Sequence, residues 1–256
     1  MDTLLTLMSP NALMLAFGVA LLAGMVKGVV GFAMPTVLIS GLSSFVSPEL
    51  ALAGLILPTL LTNGWQALRQ GYKAALGSIR RFHRFMLAGL VALLISAQLV
   101  PYLSIQVMLL LIGVPVALFA AVGLTGWQWQ IAQGQRRGLE PAIGAFAGFI
   151  GGLSGVWGPP TVVYLTALDT PKQEHVRVQG VIYGIGAVAL FGAHLASGVV
   201  RAETLPFSLA LIPPALLGMW LGLKVHDRID QAAFRKATQA VLLIAGLNLV
   251  RRGLMG

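Results

Sequence analysis

The stretch Gly24-Met25-Val26-Lys27-Gly28-Val29-Val30-Gly31-Phe32-Ala33-Met34-Pro35 recurs in outline as Gly148-Phe149-Ile150-Gly151-Gly152-Leu153-Ser154-Gly155-Val156-Trp157-Gly158-Pro159. In both copies the first glycine is followed by glycines at plus four and plus seven and by a proline at plus eleven. Glycine weakens a helix and proline stops one, so each copy predicts a helix, a break and a second helix. Long apolar runs flank both copies, which places the breaks inside a membrane. Duplicated broken helices within a bilayer are where transporters hold their cargo.

Composition gives the same class independently. Of the 256 residues, 57% are hydrophobic and 10% charged, and the mean hydropathy is +0.86. That leaves too little polar surface to coat a soluble globule, so the chain reads as an integral membrane protein. Its length accommodates roughly eight to ten spans of about 20 residues and no separate soluble domain. The absence of cysteine removes disulfides and thiolate metal sites. No cofactor, metal or nucleic-acid partner is expected. Asp2, with no basic residue before Leu4 to Met8, predicts that the first apolar segment is retained rather than cleaved.

Apolar runs fall at about 11–33, 35–46, 49–70, 84–103 and 105–125, and again at about 140–157, 159–168, 176–198, 205–225 and 233–250. Both sets have the same order of lengths, a long run, a short one and three long ones. The predicted organisation is therefore a first membrane repeat over 1–125, a polar linker over 126–139 and a second repeat over 140–256. Basic residues then orient the halves. Lys73, Arg80, Arg81 and Arg84 fill the loop 71–84, whereas its counterpart after Gly198 has only Arg201, offset by Glu203. The next pair of loops reverses the comparison, with no basic residue in 101–106 and Lys224, Arg228, Arg235 and Lys236 in 224–236. Basic loops stay in the cytoplasm, so equivalent loops lie on opposite faces and the repeats are inverted. Loops 71–84, 126–139 and 224–236 are placed inside and both termini outside; Arg251 and Arg252 run against that placement. The expected fold is all-α, a polytopic membrane protein of two inverted-topology repeats. Each repeat contains a broken or re-entrant helix pair plus three spanning helices.

The segments after Pro35 and Pro159 are too short to cross about 30 Å of hydrocarbon at 1.5 Å per residue. Their N-termini present free N–H groups and a positive dipole end, which favour an anion. The plainer alternative is that the glycines only let helices pack closely. Lys27 lies inside the first motif, where a charge is costly and points to function, unless its stem reaches the interface. Thr59, Asn63, Gln66 and Gln70 fall on one helical face that should look into the protein, as do Tyr183 and His194 eleven residues apart. Such groups also serve as hydrogen bonds between helices. Arg69 reads either as part of this face or as an interface anchor. All eight acidic residues are read as lying at segment ends or in loops, leaving no buried carboxylate to carry a coupling ion. Export of an anion from a negative interior gains about 2.3 kcal/mol per charge per 100 mV without coupling.

These features together resemble the TauE/SafE family of sulfite and organosulfonate exporters. The resemblance is carried by the glycine-rich first helix running into Pro35, by Pro48-Glu49-Leu50-Ala51, and by Thr62-Asn63-Gly64-Trp65-Gln66-Ala67-Leu68-Arg69-Gln70-Gly71. The second copy from Gly148 to Pro159 and the ending Gly192-Ala193-His194-Leu195-Ala196-Ser197-Gly198 extend it. Pro159-Pro160 stands where the first half has Pro35-Thr36, so the two copies need not bind alike. The resemblance implies a transporter or facilitator of a small sulfur-containing or carboxylate anion in a bacterial plasma (inner) membrane, with no catalytic residue. Its partners are the anion and the bilayer, with homo-oligomerisation left open. The candidate binding residues are Lys27, Gly28, Gly31, Pro35, Asn63, Gln66, Gly152, Gly155, Trp157, Pro159, Tyr183 and His194. A rival reading takes Gly152-Leu153-Ser154-Gly155 with His194 as a rhomboid-like intramembrane serine protease. The first copy has Val30 at the position of Ser154, so what is repeated is backbone and not hydroxyl. A non-transporting scaffold is the remaining alternative.

Overall fold

A computed structural model describes residues 8–97, 104–127, 130–131, 133–154, 158–196 and 200–255. Among these the chain is helical, with no strand, and it divides into two compact units, 1–72 with 176–230 and 73–175 with 231–256.

In the first unit, α1 (Pro10–Val30) starts at Ser9, whose hydroxyl accepts from the Ala12 amide at 3.3 Å, with proline at the first helical position where no N–H is needed. It ends at Gly31, left-handed at φ 91°, whose N–H returns to the Lys27 carbonyl at 2.7 Å. Ala33, also left-handed at φ 71°, turns the chain into α2 (Met34–Leu42). At nine residues α2 is only about 14 Å long, so it cannot span. Next comes α3 (Pro48–Leu68), capped by Ser47 with Glu49 in its first turn, where a carboxylate complements the helix dipole. Most of α9 (Lys172–Ala196) belongs here too, with α10 (Leu205–Ala210) and α11 (Ile212–Arg228). Ala16, Ala20, Leu38, Leu55, Phe207 and Leu211 form part of its dry core.

Glycines set the closest approaches. A Cβ on Gly24 would strike the backbone of Ala215 and Met219, and one on Gly28 that of Met219 and Gly222, so α1 and α11 run parallel in near backbone contact. Gly180 sits equally close to Gln66 and Ala67, and Gly184 faces Asn63, which makes α9 antiparallel to α3.

The second unit contains α4 (Tyr72–Arg81), α5 (His83–Ala97), α6 (Ile105–Leu124), α7 (Gln133–Ser154), α8 (Gly158–Ala167) and α12 (Gln231–Met255). Gly144 packs on Phe85 and Gly148 on Gly89, so α5 and α7 are parallel; Gly113 meets Gly246 and Val250 while Gly123 meets Gln239, so α6 and α12 are antiparallel. Tyr164 of α8 stacks on Phe85 at 5.2 Å between centroids and meets Phe82 edge-on at 6.4 Å.

Among the described residues, three stretches are long and apolar enough to cross a membrane by themselves, namely α1, Leu205–Arg228 and α12. Leu87, Leu90, Val91 and Leu94 on α5, and Leu111, Val114, Leu118 and Val122 on α6, are exposed. Continuous apolar faces of this kind suit lipid and not water. The short second segments appear as α2 and α8. Other expectations change. The stretch 71–84 contains the amphipathic helix α4, the polar link is helical from Gln133 onward, and the run 205–225 divides at Leu211. The expectation of no buried carboxylate fails. Glu140 lies inside α7, 4% exposed, because that helix begins in the link, and Arg136 one turn earlier pairs with it at 3.3 Å.

A buried polar cluster at the first break

Where α1 ends, the first unit encloses polar groups on every side. Lys27 is 2% exposed and donates from Nζ to Asn63 Oδ1 of α3. One turn further along α3, Gln66 Nε2 donates to the Gly31 carbonyl at 2.8 Å and to the Val176 carbonyl at 3.3 Å. Gln66 Oε1 is buried without a protein partner. Gln179 of α9 is fully buried, with its amide oxygen against the Cα face of Gly31, so any side chain there would collide with it as well as strain the left-handed backbone. The break is therefore bonded by Gln66 of α3 and packed against by Gln179 of α9. His226 of α11 is buried, with Nδ1 at 3.0 Å from the Val29 carbonyl, to which it must donate.

No carboxylate pairs with Lys27 among the described residues. An ammonium enclosed by amides and aliphatic carbons is expensive without a counter-charge. At the same end of the unit, Arg69 pairs with Asp227 at 2.5 Å and Arg177 donates to Gln70. Next to Gln66 begins α2, whose N-cap Ala33 makes no side-chain capping bond, leaving its first amides without that competitor.

The expected residues do not all come together. Lys27, Gly31, Asn63 and Gln66 are one cluster, and Tyr183 is buried on α9 one turn from Gln179. Thr59 and Thr62 continue the buried face of α3, whereas Gln70 is exposed. Gly28 faces α11 and Pro35 is exposed. Pro159 is buried in the second unit at the start of α8, where Pro159 and Pro160 remove two amides that an anion would use. Gly155 and Trp157 lie outside the described residues, as do the side chains of Ser154 and His194; Gly152 is in α7. In the second motif the position of Lys27 is Gly151, so the charge is not duplicated. Gln179 and His226 went unread in the sequence. Gln179 lies one turn before Tyr183 on the face already marked by Tyr183 and His194, so extending that face would have found it.

A helical chain with lipid-facing apolar helices and polar groups enclosed at a helix break has the build of a membrane transporter. The chain belongs to the family described as Sulfite exporter TauE/SafE, whose model matches residues 16–249. No curated protein and no solved structure shows a significant match to it. Members of this family are permeases and not enzymes, which gives the protease reading of Ser154 and His194 no support.

Proposed function

We propose that the protein exports a small oxyanion, sulfite or an organosulfonate, with Lys27 as the counter-charge and Asn63, Gln66 and the first amides of α2 as hydrogen-bond donors. Gln66 would turn its amide, since the anion needs N–H groups and not Oε1. The single observation behind this reading is a lysine side chain buried to 2% exposure with no carboxylate beside it among the described residues. The cluster occupies the last turns of α1 and α3, both 21 residues long, so the proposed site lies toward the face that carries loop 71–84. Tyr183 and His194 on α9 belong to the same proposal, and so do Gly152, Gly155, Trp157 and Pro159 as the second copy's counterparts of the first motif.

The two-repeat division and its inversion belong to the same proposal. Two pairs of helices at equivalent positions of the halves, α3 with α9 and α6 with α12, each share a unit and run antiparallel, as inversion requires. With the basic loops in the cytoplasm, both termini would be outside and the anion would leave down the membrane potential. The test is flux from proteoliposomes loaded with sulfite, taurine-like sulfonates or simple carboxylates. Lys27→Met should lower flux at least tenfold while the protein still inserts and elutes as a single species. Wild-type flux in that variant would remove Lys27 from the transport site.

A further inference from the structure

The second unit holds a pocket of about 120 Å³ where α6 ends and α12 begins, lined by Phe119, Trp127, Thr166, Arg235, Lys236 and Gln239. We infer that it seats the headgroup of an anionic phospholipid bearing a hydroxyl donor, of the phosphatidylglycerol type. This goes beyond the transport site, with which it shares no residue.

Charge is the first argument. Arg235 pairs with Asp169, and Lys236 enters no ion pair among the described residues, so the three groups carry one net positive charge. A phosphodiester carries one negative charge. Gln239 is the second argument. It is 5% exposed, it lines the pocket, and its Oε1 is buried without a protein partner. A ligand donor would satisfy such an acceptor, and a glycerol headgroup has one where a choline headgroup lacks it.

Position supplies the third argument. The pocket lies at the ends of two long apolar helices, beside Trp127, which is 60% exposed as an indole at a membrane interface is. Leu111, Val114, Leu118 and Val122 form an exposed apolar stripe that runs away from the pocket along α6. Acyl chains fit that stripe, and the pocket itself admits only a headgroup. Basic pockets between membrane helices are where lipid phosphates bind.

The test uses the full chain in a neutral detergent, with thermal midpoint and lipid retention as readouts. Dioleoyl phosphatidylglycerol should raise the midpoint and bind at least tenfold more tightly than dioleoyl phosphatidylcholine. Lys236→Gln and Gln239→Leu should each weaken phosphatidylglycerol at least fivefold. Lys236 is exposed, so Lys236→Gln tests the idea even where Gln239→Leu fails to fold. Free glycerol phosphate and inorganic phosphate should leave the midpoint unchanged at concentrations where the lipid saturates. Equal stabilisation by the two lipids, unchanged lipid affinity in Lys236→Gln, or a full response to the soluble phosphates would overturn the inference. Because Lys27 is untouched, these outcomes are independent of the flux test.

Discussion

Lys27 is surrounded by groups that solvate a cation without neutralising it. Asn63 accepts a hydrogen bond from it, and the Gln66 amide beyond donates to the Gly31 carbonyl. In the proposed site an arriving anion would supply what the fold omits. Asn63→Asp is nearly isosteric and would fill that role permanently. It should keep or raise the thermal midpoint, because a buried pair replaces a lone charge. It should also weaken anion affinity at least tenfold, about 1.4 kcal/mol, measured as KM in the flux assay. An unchanged KM would separate Lys27 from the anion. Much of this site was legible beforehand, since Asn63 and Gln66 sit at helical spacing and Lys27 stands inside an apolar motif. What spacing does not reveal is which helix from the other half faces them. Gln179 and His226 enter through tertiary packing at Gly31 and Val29, and a single-element pattern holds no trace of that.

The carbonyl freed by the internal proline of α3 is served by another element. Pro58 has no N–H for the Gly54 carbonyl, and Ser208 of α10 donates its hydroxyl there at 3.4 Å while accepting from the Leu57 amide at 3.2 Å. Membrane helices tolerate internal proline through such substitutes. Ser208→Ala should cost about 1–3 kcal/mol by stranding buried backbone groups. In a Pro58→Ala background the helix supplies its own N–H, so the second substitution should cost about 1 kcal/mol less. Additive shifts in thermal midpoint would show that Ser208 does not serve that carbonyl. At this scale the sequence marked the helices that proline and glycine delimit, including both short ones. It hid α4, where Tyr72, Leu76 and Ile79 expose an apolar face among Lys73, Arg80 and Arg81. A surface-lying helix interleaves charge with apolar residues and so reads as a loop when spans are sought by continuous hydropathy. The same habit left Glu140 at a segment end, although helix α7 carries it into the interior.

Each compact unit draws helices from both halves of the chain, so duplication in sequence and compactness in space divide the molecule differently. An inverted repeat accounts for this if each half contributes the same elements in opposite orientation. The first helix of each half, α1 or α7, then pairs in parallel with a helix from the fourth segment of the other half, α11 or α5. The arrangement makes a prediction that helix packing alone does not. Equivalent loops must face opposite solutions, and the chain has no cysteine, so single cysteines report their side without background. Gly77 and Ala202 are exposed at equivalent places after α3 and α9. A membrane-impermeant maleimide should label Ala202→Cys in intact cells and Gly77→Cys only in inverted vesicles. Leu254, 72% exposed near the end of α12, decides whether Arg251 and Arg252 override the other basic residues, and Leu254→Cys should label from outside. Labelling of Gly77→Cys and Ala202→Cys from the same side would leave two parallel copies. In parallel copies the helix ends around Lys27 would have no inverted counterpart to open them to the opposite face, and alternating access would need a different moving part.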